Sequence, residues 1–346
     1  MYKIAVDLGY GFTKGVNQDG KKIIIPSIVG PGRDRTMADI LGGNVEELDN
    51  LYVLINGEEY YVGKLAEEES LGASRTLDAD KIKHPNTRVL LATAAALLLR
   101  GECRENIHLI TGLPYADFAL QRQELKEYIK SFQANVKFYG GPLKDQSRKI
   151  KFNDVTIFPQ AAGAIYTLLD NSMAKAIARS GKMISVVDIG YKTTDFVTFQ
   201  GTETFKTRTD LSDTLNIGMN EMHRLITHAF KKKTGRRIDP LMVDNLINNK
   251  VISFEGREID FSSEIEMAYK AIAKSIMDSV RHIWGDMSDF IEVVFITGGG
   301  ALALKKHLQK LHHHLQVAPD AQFANARGFM AVAKAAERKI LEKRTS

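Results

Sequence analysis

Apolar positions follow two periods along this chain, and the same order of periods is laid down twice. Residues 3–8, 13–17 and 21–25 read as three strands, the first two joined across a glycine turn. A hairpin is expected in "YVLINGEEYYVG", turning at Asn56-Gly57, a pair suited to two left-handed backbone positions. Asn86 to Arg100 predicts a helix, "NIHLIT" a buried strand running into the turn Gly112 to Pro114, and Ala116 to Phe132 an amphipathic helix. Two strands are expected on either side of Asn153-Asp154. The second, "VTIF", runs through Pro159-Gln160 into a helix "AAGAIYTLLD". From Met183 the order restarts with strands "ISVVDI", "TDFVTF" and "TETFKT", then a helix from Met219 to Lys233. Further helices are expected near Asp239–Asn249 and over Ser262–Trp284, around a hairpin at Glu255-Gly256. Strand "EVVFIT", the triplet Gly298-Gly299-Gly300, a helix from Leu302 to His314 and a last helix from about Arg327 close the chain. Strands alternating with helices in two similar halves predict an α/β architecture with helix-flanked sheets.

The repetition is legible residue by residue. "VDLGYGFTK" (Val6 to Lys14) and "VDIGYKTTDF" (Val187 to Phe196) share Val, Asp, an aliphatic residue, Gly and Tyr, and a shift of 181 positions also carries Thr13 onto Thr194. A glycine directly after a strand lets backbone N–H groups approach an anion with no Cβ in the way. An acid at the same strand end repels phosphate unless a cation intervenes. Mg²⁺ usually binds through one or two carboxylates plus phosphate oxygens, and Asp7 and Asp188 supply such a pair. Lys14 and the hydroxyls of Thr13, Thr193 and Thr194 are candidate donors to phosphate. The glycine triplet offers a third anion-tolerant turn at a helix N-terminus. Other nucleotide motifs fail: there is no G-x-x-x-x-G-K-[ST], and Gly9, Gly11 and Gly15 have the wrong spacing for a dinucleotide fingerprint.

Composition narrows the classes. With 346 residues, 44% hydrophobic and 26% charged, the chain reads as a globular protein long enough for two core-forming units. One cysteine, Cys103, excludes an internal disulfide and fits a reducing cytoplasm. No signal-like apolar segment precedes the first strand, and the longest apolar run, Val89 to Leu99, is too short for a bilayer, so a cytoplasmic protein is expected. The net charge of +5 permits an acidic ligand without indicating one. The basic run "KKKTGRR" (Lys231 to Arg237) reads as a solvated helix end or a contact to nucleotide or DNA. His307 and His312 to His314, placed on a helix, point in different directions, which favours a surface role over a metal site. The basic amphipathic C-terminal segment is expected to dock on its own domain rather than on a membrane.

Five segments in order, "VDLGYGFTK", "FPQAAGAIY", "VDIGYKTTDF", "ITGGGALAL" and "NARGFMAVA", resemble the phosphate-1, connect-1, phosphate-2, adenosine and connect-2 segments of the actin-fold ATPases. Within that superfamily, "TGLPYADF" and "FANARGF" look most like plasmid-segregation actins of the ParM type. The resemblance implies a duplicated actin-like (ribonuclease H-like) fold with a nucleotide cleft between two domains. Residues 1–165, completed by a C-terminal helix 325–346, would form domain I, and 166–324 domain II. It implies ATP as ligand, with GTP left open because the base-clamping residues are not legible, and Mg²⁺ held by Asp7 and Asp188. Gly9, Tyr10, Gly11, Phe12, Thr13 and Lys14 would clasp the phosphates from one side, and Gly190, Tyr191, Lys192, Thr193 and Thr194 from the other. Gly298, Gly299 and Gly300 would approach the nucleoside, and Gln160 would orient the attacking water, or else only cap the segment after Pro159. The implied function is a filament-forming ATPase that stacks head to tail and moves plasmid centromere DNA through a DNA-binding adaptor protein, with no membrane partner. A non-polymerising actin-fold small-molecule kinase and a cytoskeletal actin with another cargo are the alternatives. A heat-shock chaperone is disfavoured because no substrate domain follows the last helix.

Overall fold

The computed structural model describes residues 1–33, 47–75, 84–101, 106–168, 172–202 and 205–345. Residues 34–46, most of a Gly-, Asp- and Asn-rich stretch over 30–50, and Cys103 lie outside the described residues. The chain divides into two compact units, one made of residues 1–168 and 323–346, the other of residues 169–322.

In the first unit, β1 (Tyr2–Leu8), β2 (Phe12–Asn17) and β3 (Lys22–Pro26) form an antiparallel meander, followed by β4 (Ile28–Pro31). β5 (Leu51–Ile55) and β6 (Glu58–Val62) are joined by Asn56 and Gly57 at φ 51° and 94°, the left-handed pair that such a turn requires. Then come α1 (Lys64–Glu69), β7 (Ser74–Arg75), α2 (Pro85–Leu98), β8 (Ile107–Leu113), α3 (Tyr115–Ser131), β9 (Gln133–Phe138), β10 (Ser147–Pro159) and the short α4 (Ile165–Leu168). The ten strands form one sheet in the order β3-β2-β1-β8-β10-β9-β5-β6-β4-β7. α2 is apolar almost all round because it is buried in the core, with Val89, Leu90, Leu91, Leu97 and Leu98 inside. Among the described residues no helix is long and apolar enough to cross a membrane.

The second unit contains α5 (Ser172–Ser180), β11 (Met183–Ile189), β12 (Thr194–Gly201), β13 (Phe205–Leu215), α6 (Asn220–Thr234), α7 (Pro240–Asn249), the hairpin β14 (Val251–Phe254) and β15 (Arg257–Asp260), and α8 (Ser262–Trp284). β16 (Ile291–Thr297), α9 (Ala301–Leu308) and β17 (Leu315–Val317) complete it. Its sheet, β13-β12-β11-β16-β17, repeats the arrangement β3-β2-β1-β8-β10, with a parallel pair added beside an antiparallel meander. α8 covers this sheet through Ile265, Ala268, Ile272, Ile276 and Val280, the three-to-four spacing that makes one stripe of a helix. α10 (Ala324–Thr345) returns to the first unit and packs on β1 and β8 through Phe329, Met330 and Ala333.

Four local expectations are corrected. Asn153-Asp154 is not a turn between two strands but a bulge inside the continuous β10, where Asn153 Oδ1 accepts the Ile107 N–H at 3.1 Å. Residues after Gln160 do not start a helix at once. Ala161 adopts φ 60°, and among the described residues of that stretch only Ile165–Leu168 is helical. Of "TETFKT", Phe205 to Thr207 open a strand that runs on to Leu215, its alternating Thr, Arg and Asp side chains masking a continued ladder with β12, while Glu203 and Thr204 lie outside the described residues. The helix from the glycine triplet stops at Leu308, so His307 is on it while His312 to His314 follow it, and His312 is buried with Nε2 on the Ile291 carbonyl at 2.8 Å. Burial lowers the His312 pKa, the neighbouring His313 adding to the effect. The basic run closes α6 at left-handed Gly235 (φ 72°), with Lys233 paired to Glu264 at 2.8 Å and Lys231, Lys232, Arg236 and Arg237 exposed.

Candidate functional site

Each unit carries a candidate anion-binding loop, built on the same strand–loop–strand hairpin. In the first, the register sets Asp7 opposite Lys14 and Leu8 opposite Thr13. Alternation along a strand therefore puts Asp7 and Lys14 on one face and Thr13 on the other. Thr13 is fully buried with its hydroxyl 3.0 Å from that of Ser27, so it shapes the hairpin from behind and does not present a donor at the loop. Gly9 lies so close to the returning chain that a Cβ would stand 2.6 Å from the Phe12 carbonyl oxygen. Ser27 holds the loop from one side: its hydroxyl donates to the Gly9 carbonyl at 2.6 Å and its N–H to the Gly11 carbonyl at 2.8 Å. In a trans peptide the N–H points away from the preceding C=O. The Tyr10 and Phe12 N–H groups are thus turned away from Ser27, a disposition in which backbone donors can meet an anion.

Gln160 reaches this loop through sheet register. Val6, Thr111 and Ile157 are aligned across the parallel strands β1, β8 and β10, which brings the ends of the three strands together. The Gln160 N–H donates to the Leu113 carbonyl at 2.7 Å, and its side-chain amide donates to Asp7 Oδ1 at 2.6 Å in a buried contact. The turn beyond it is pinned from α10, where Asn325 Oδ1 accepts the Ala161 N–H at 3.0 Å.

The second unit repeats the loop with one exchange. Asp188 stands opposite Asp195 rather than opposite a lysine, and Ile189 opposite Thr194. Both acids are buried. Asp188 Oδ1 accepts the Thr297 hydroxyl at 3.0 Å, and Asp195 Oδ1 accepts that of Thr214 at 2.6 Å. Thr193 lies 3.4 Å from Asp195 Oδ2, while the buried Thr194 donates to the Ile217 carbonyl at 2.8 Å, facing inward as Thr13 does. The loop carbonyls are again taken from behind: Ile189 by Gly300 N–H, Gly190 by Met219 N–H and Tyr191 by Asn220 N–H, at 3.0, 3.1 and 2.7 Å. The N–H groups of Tyr191 and Lys192 are turned the opposite way. The Tyr191 ring rests edge-on against His223 at 5.8 Å, and His223 Nε2 lies 2.7 Å from Asp244 Oδ1.

The glycine triplet is not uniform. Gly298 (φ 87°) packs so tightly that a Cβ would lie 2.4 Å from both Asp188 Oδ1 and the Ile189 carbonyl oxygen, and one on Gly300 would reach Met219 Cγ at 2.9 Å. Those two glycines are required by packing against the loop, whereas Gly299 faces open space. Asp195 was missed by the sequence reading, although the 181-position shift carries Lys14 onto it.

Each loop has beside it a buried carboxylate of the kind that a hydrated divalent cation takes through its waters. Asp7 and Asp188 are buried carboxylates at strand ends, held by the neutral amide of Gln160 and the hydroxyl of Thr297. Among the described residues no three His, Cys, Asp or Glu side chains converge as a closed cage. An octahedral ion that keeps its waters and shares phosphate oxygens needs none. Replacing Thr297 by Val should cost about 1–2 kcal/mol, since it strips a hydrogen bond from a buried carboxylate while keeping the shape. Chemical denaturation of wild type and variant measures it, and equal stability would mean that the hydroxyl supports nothing.

Comparison with known proteins gives a consistent result. The family described as "Actin like proteins N terminal domain" matches residues 5–163, and "Archaeal actin homologue MreB-like, C-terminal" matches residues 186–310. Archaeal actin homologues of Thermoplasma acidophilum and Thermoplasma volcanium are each 23% identical, over 96% of this chain and 99% of theirs. Among solved structures, a 15-stranded ParM filament from Clostridium botulinum is similar with 32% identity and a TM-score of 0.87, covering 96% of this chain and 99% of that one. A non-polymerisable ParM quadruple mutant is similar at 32% identity and a TM-score of 0.85, over the same shares. The archaeal actin homologue in complex with ADP, at 21% identity and a TM-score of 0.78 over 98% of this chain and 100% of that one, shares the fold.

Proposed function

Since the chain belongs to the actin-like proteins, we propose that it is an ATPase that assembles into nucleotide-dependent filaments and serves plasmid segregation through a DNA-binding adaptor. The observation that carries this reading is the paired loop, one in each unit, with carbonyls tied back and N–H groups turned out beside a buried aspartate. Loops of this kind hold phosphate oxygens. One nucleotide gripped by a loop from each unit fixes the two units in a single orientation. That orientation presents a head-to-tail contact which propagates instead of closing on itself. Loss of the γ-phosphate removes the shared grip and loosens the filament.

Asp7 and Asp188 would hold Mg²⁺ through its waters, and the ion would supply charge neutralisation at the phosphates. Gln160, neutral and anchored on Asp7, positions and polarises the attacking water without acting as a strong base. Lys14, on the same face as Asp7, adds a cation to the first loop. The similarity to a ParM filament supports self-assembly, and the ParM-like segments support plasmid DNA as the cargo. Another cytoskeletal cargo is equally compatible with the fold.

Light scattering and negative-stain microscopy with ATP and Mg²⁺ test the proposal. The protein should be monomeric without nucleotide and assemble above a critical concentration with ATP, and to some degree with GTP. A stable closed dimer indifferent to nucleotide would overturn the filament reading. Turnover of ATP only with a small-molecule acceptor would replace it with a kinase.

A further inference from the structure

The Gly11 carbonyl at the back of the first loop is held by two residues of the same unit, and neither belongs to the β1–β2 hairpin. Gly11 O accepts the Ser27 N–H at 2.8 Å and also Nη1 of Arg75 at 3.3 Å. A carbonyl oxygen has two lone pairs, so the two donors together fix the plane of the Gly11–Phe12 peptide. Arg75 lies on β7, the outermost strand of the ten-stranded sheet, and its backbone is paired with Ile28, the residue next to Ser27. Its other nitrogen, Nη2, donates to Glu67 Oε1 of α1 at 2.8 Å, in a pair whose side chains are 19% and 28% exposed. The segment carrying both residues is itself seated firmly. The Gly63 N–H donates to the Ile28 carbonyl at 2.9 Å, and a Cβ on Gly30 would meet Ser70 Oγ at 2.3 Å.

We infer that Arg75 is a positioning residue for the nucleotide phosphates, holding the Gly11 carbonyl so that the Phe12 N–H faces the anion, with Glu67 setting the direction of the guanidinium. This rests on the nucleotide-binding reading above. The fork of an arginine is what lets one side chain serve a carbonyl and a carboxylate at once, and a lysine ammonium lacks that fixed geometry. Through this contact, the outer edge of the first unit's sheet takes part in shaping the loop at the far end of β1. Any displacement of α1 and β7 would be felt at the Gly11–Phe12 peptide before it reached the phosphates.

The test is equilibrium binding of ATP to purified full-length protein carrying R75M, R75K or E67Q, with thermal melting of each in the absence of nucleotide. R75M should weaken ATP binding about tenfold, R75K should recover part of the loss, and E67Q should weaken it about threefold. E67Q should add nothing in the R75M background, because both act through one contact. The loss should persist at 0.5 M salt, where a merely long-range charge effect would be screened out. A purely structural role would lower the melting temperature and leave the affinity of the folded protein unchanged. If R75M does not fold, R75K and E67Q carry the comparison. Unaltered ATP affinity in the folded variants overturns the inference alone, whereas a wild type that binds no nucleotide overturns the function on which it rests.

Discussion

Replacing Gln160 by alanine should leave filaments forming with ATP while phosphate release falls about tenfold to a thousandfold, the usual cost of losing one group that positions a reactant. Assembly, on the proposed mechanism, needs only bound nucleotide and a fixed orientation of the two units. Hydrolysis also needs an oriented water. The amide that would hold it is placed by three strands in register and by a 2.6 Å contact to Asp7 Oδ1, so its position is not left to a flexible side chain. Filaments of the variant should persist longer, because the γ-phosphate stays in place. Light scattering and phosphate release on one sample decide the matter. Hydrolysis at the wild-type rate would reduce Gln160 to a structural cap.

Gly328→Ala should destabilise the first unit by about 3 kcal/mol, through overpacking with no side chain to give way. A Cβ there would stand 1.9 Å from the Gly163 carbonyl oxygen and 2.3 Å from its carbon, both backbone atoms. Gly112 and Gly163 complete the seat, each lying within 3 Å of the Phe329 ring when a Cβ is added. Unseating α10 also withdraws Asn325 from the Ala161 N–H and frees the turn that carries Gln160. The variant should therefore lose denaturation midpoint and, while still folded, phosphate release. Wild-type stability would mean that α10 has slack to shift along its groove.

What could be read from the sequence was set by periodicity and by local turn chemistry. The Asn56-Gly57 hairpin and α8 over Ser262–Trp284 were legible because their signals are local: a pair of left-handed positions in one case, an uninterrupted three-to-four stripe in the other. The bulge at Asn153 was not, because Asn-Asp reads as a turn unless the partner strand is known, and that partner is Ile107. The histidines misled for a similar reason. The end of α9 is fixed by the pairing of β17 with β16, which no local residue announces. At the candidate site the acids, glycines and Gln160 stood out by type. The inward facing of Thr13 and Thr194 follows from alternation against Asp7 and Asp188, and was available to a stricter reading of the strands. Asp195 required treating the duplication as a map. Arg75 had no signal at all, since its role depends on β7 pairing with Ile28.

The first unit is interrupted by the second, and this governs the order in which the protein can be built. Lys3 and Glu337, 334 positions apart, form an ion pair at 2.7 Å, and Ala5 and Ile110 are covered by Phe329 and Met330 of α10. During synthesis the strands of the first sheet emerge early, but one face of β1 and β8 stays wet until the residues from Ala324 onward have left the ribosome. The inserted unit, whose core is closed within residues 169–322, can condense first. Docking of α10 then covers that face of β1 and β8. Because Asn325 of α10 also accepts the Ala161 N–H, the turn beyond Gln160 is pinned only by that docking, and on the proposed mechanism a chain without it has both loops but a less firmly held Gln160.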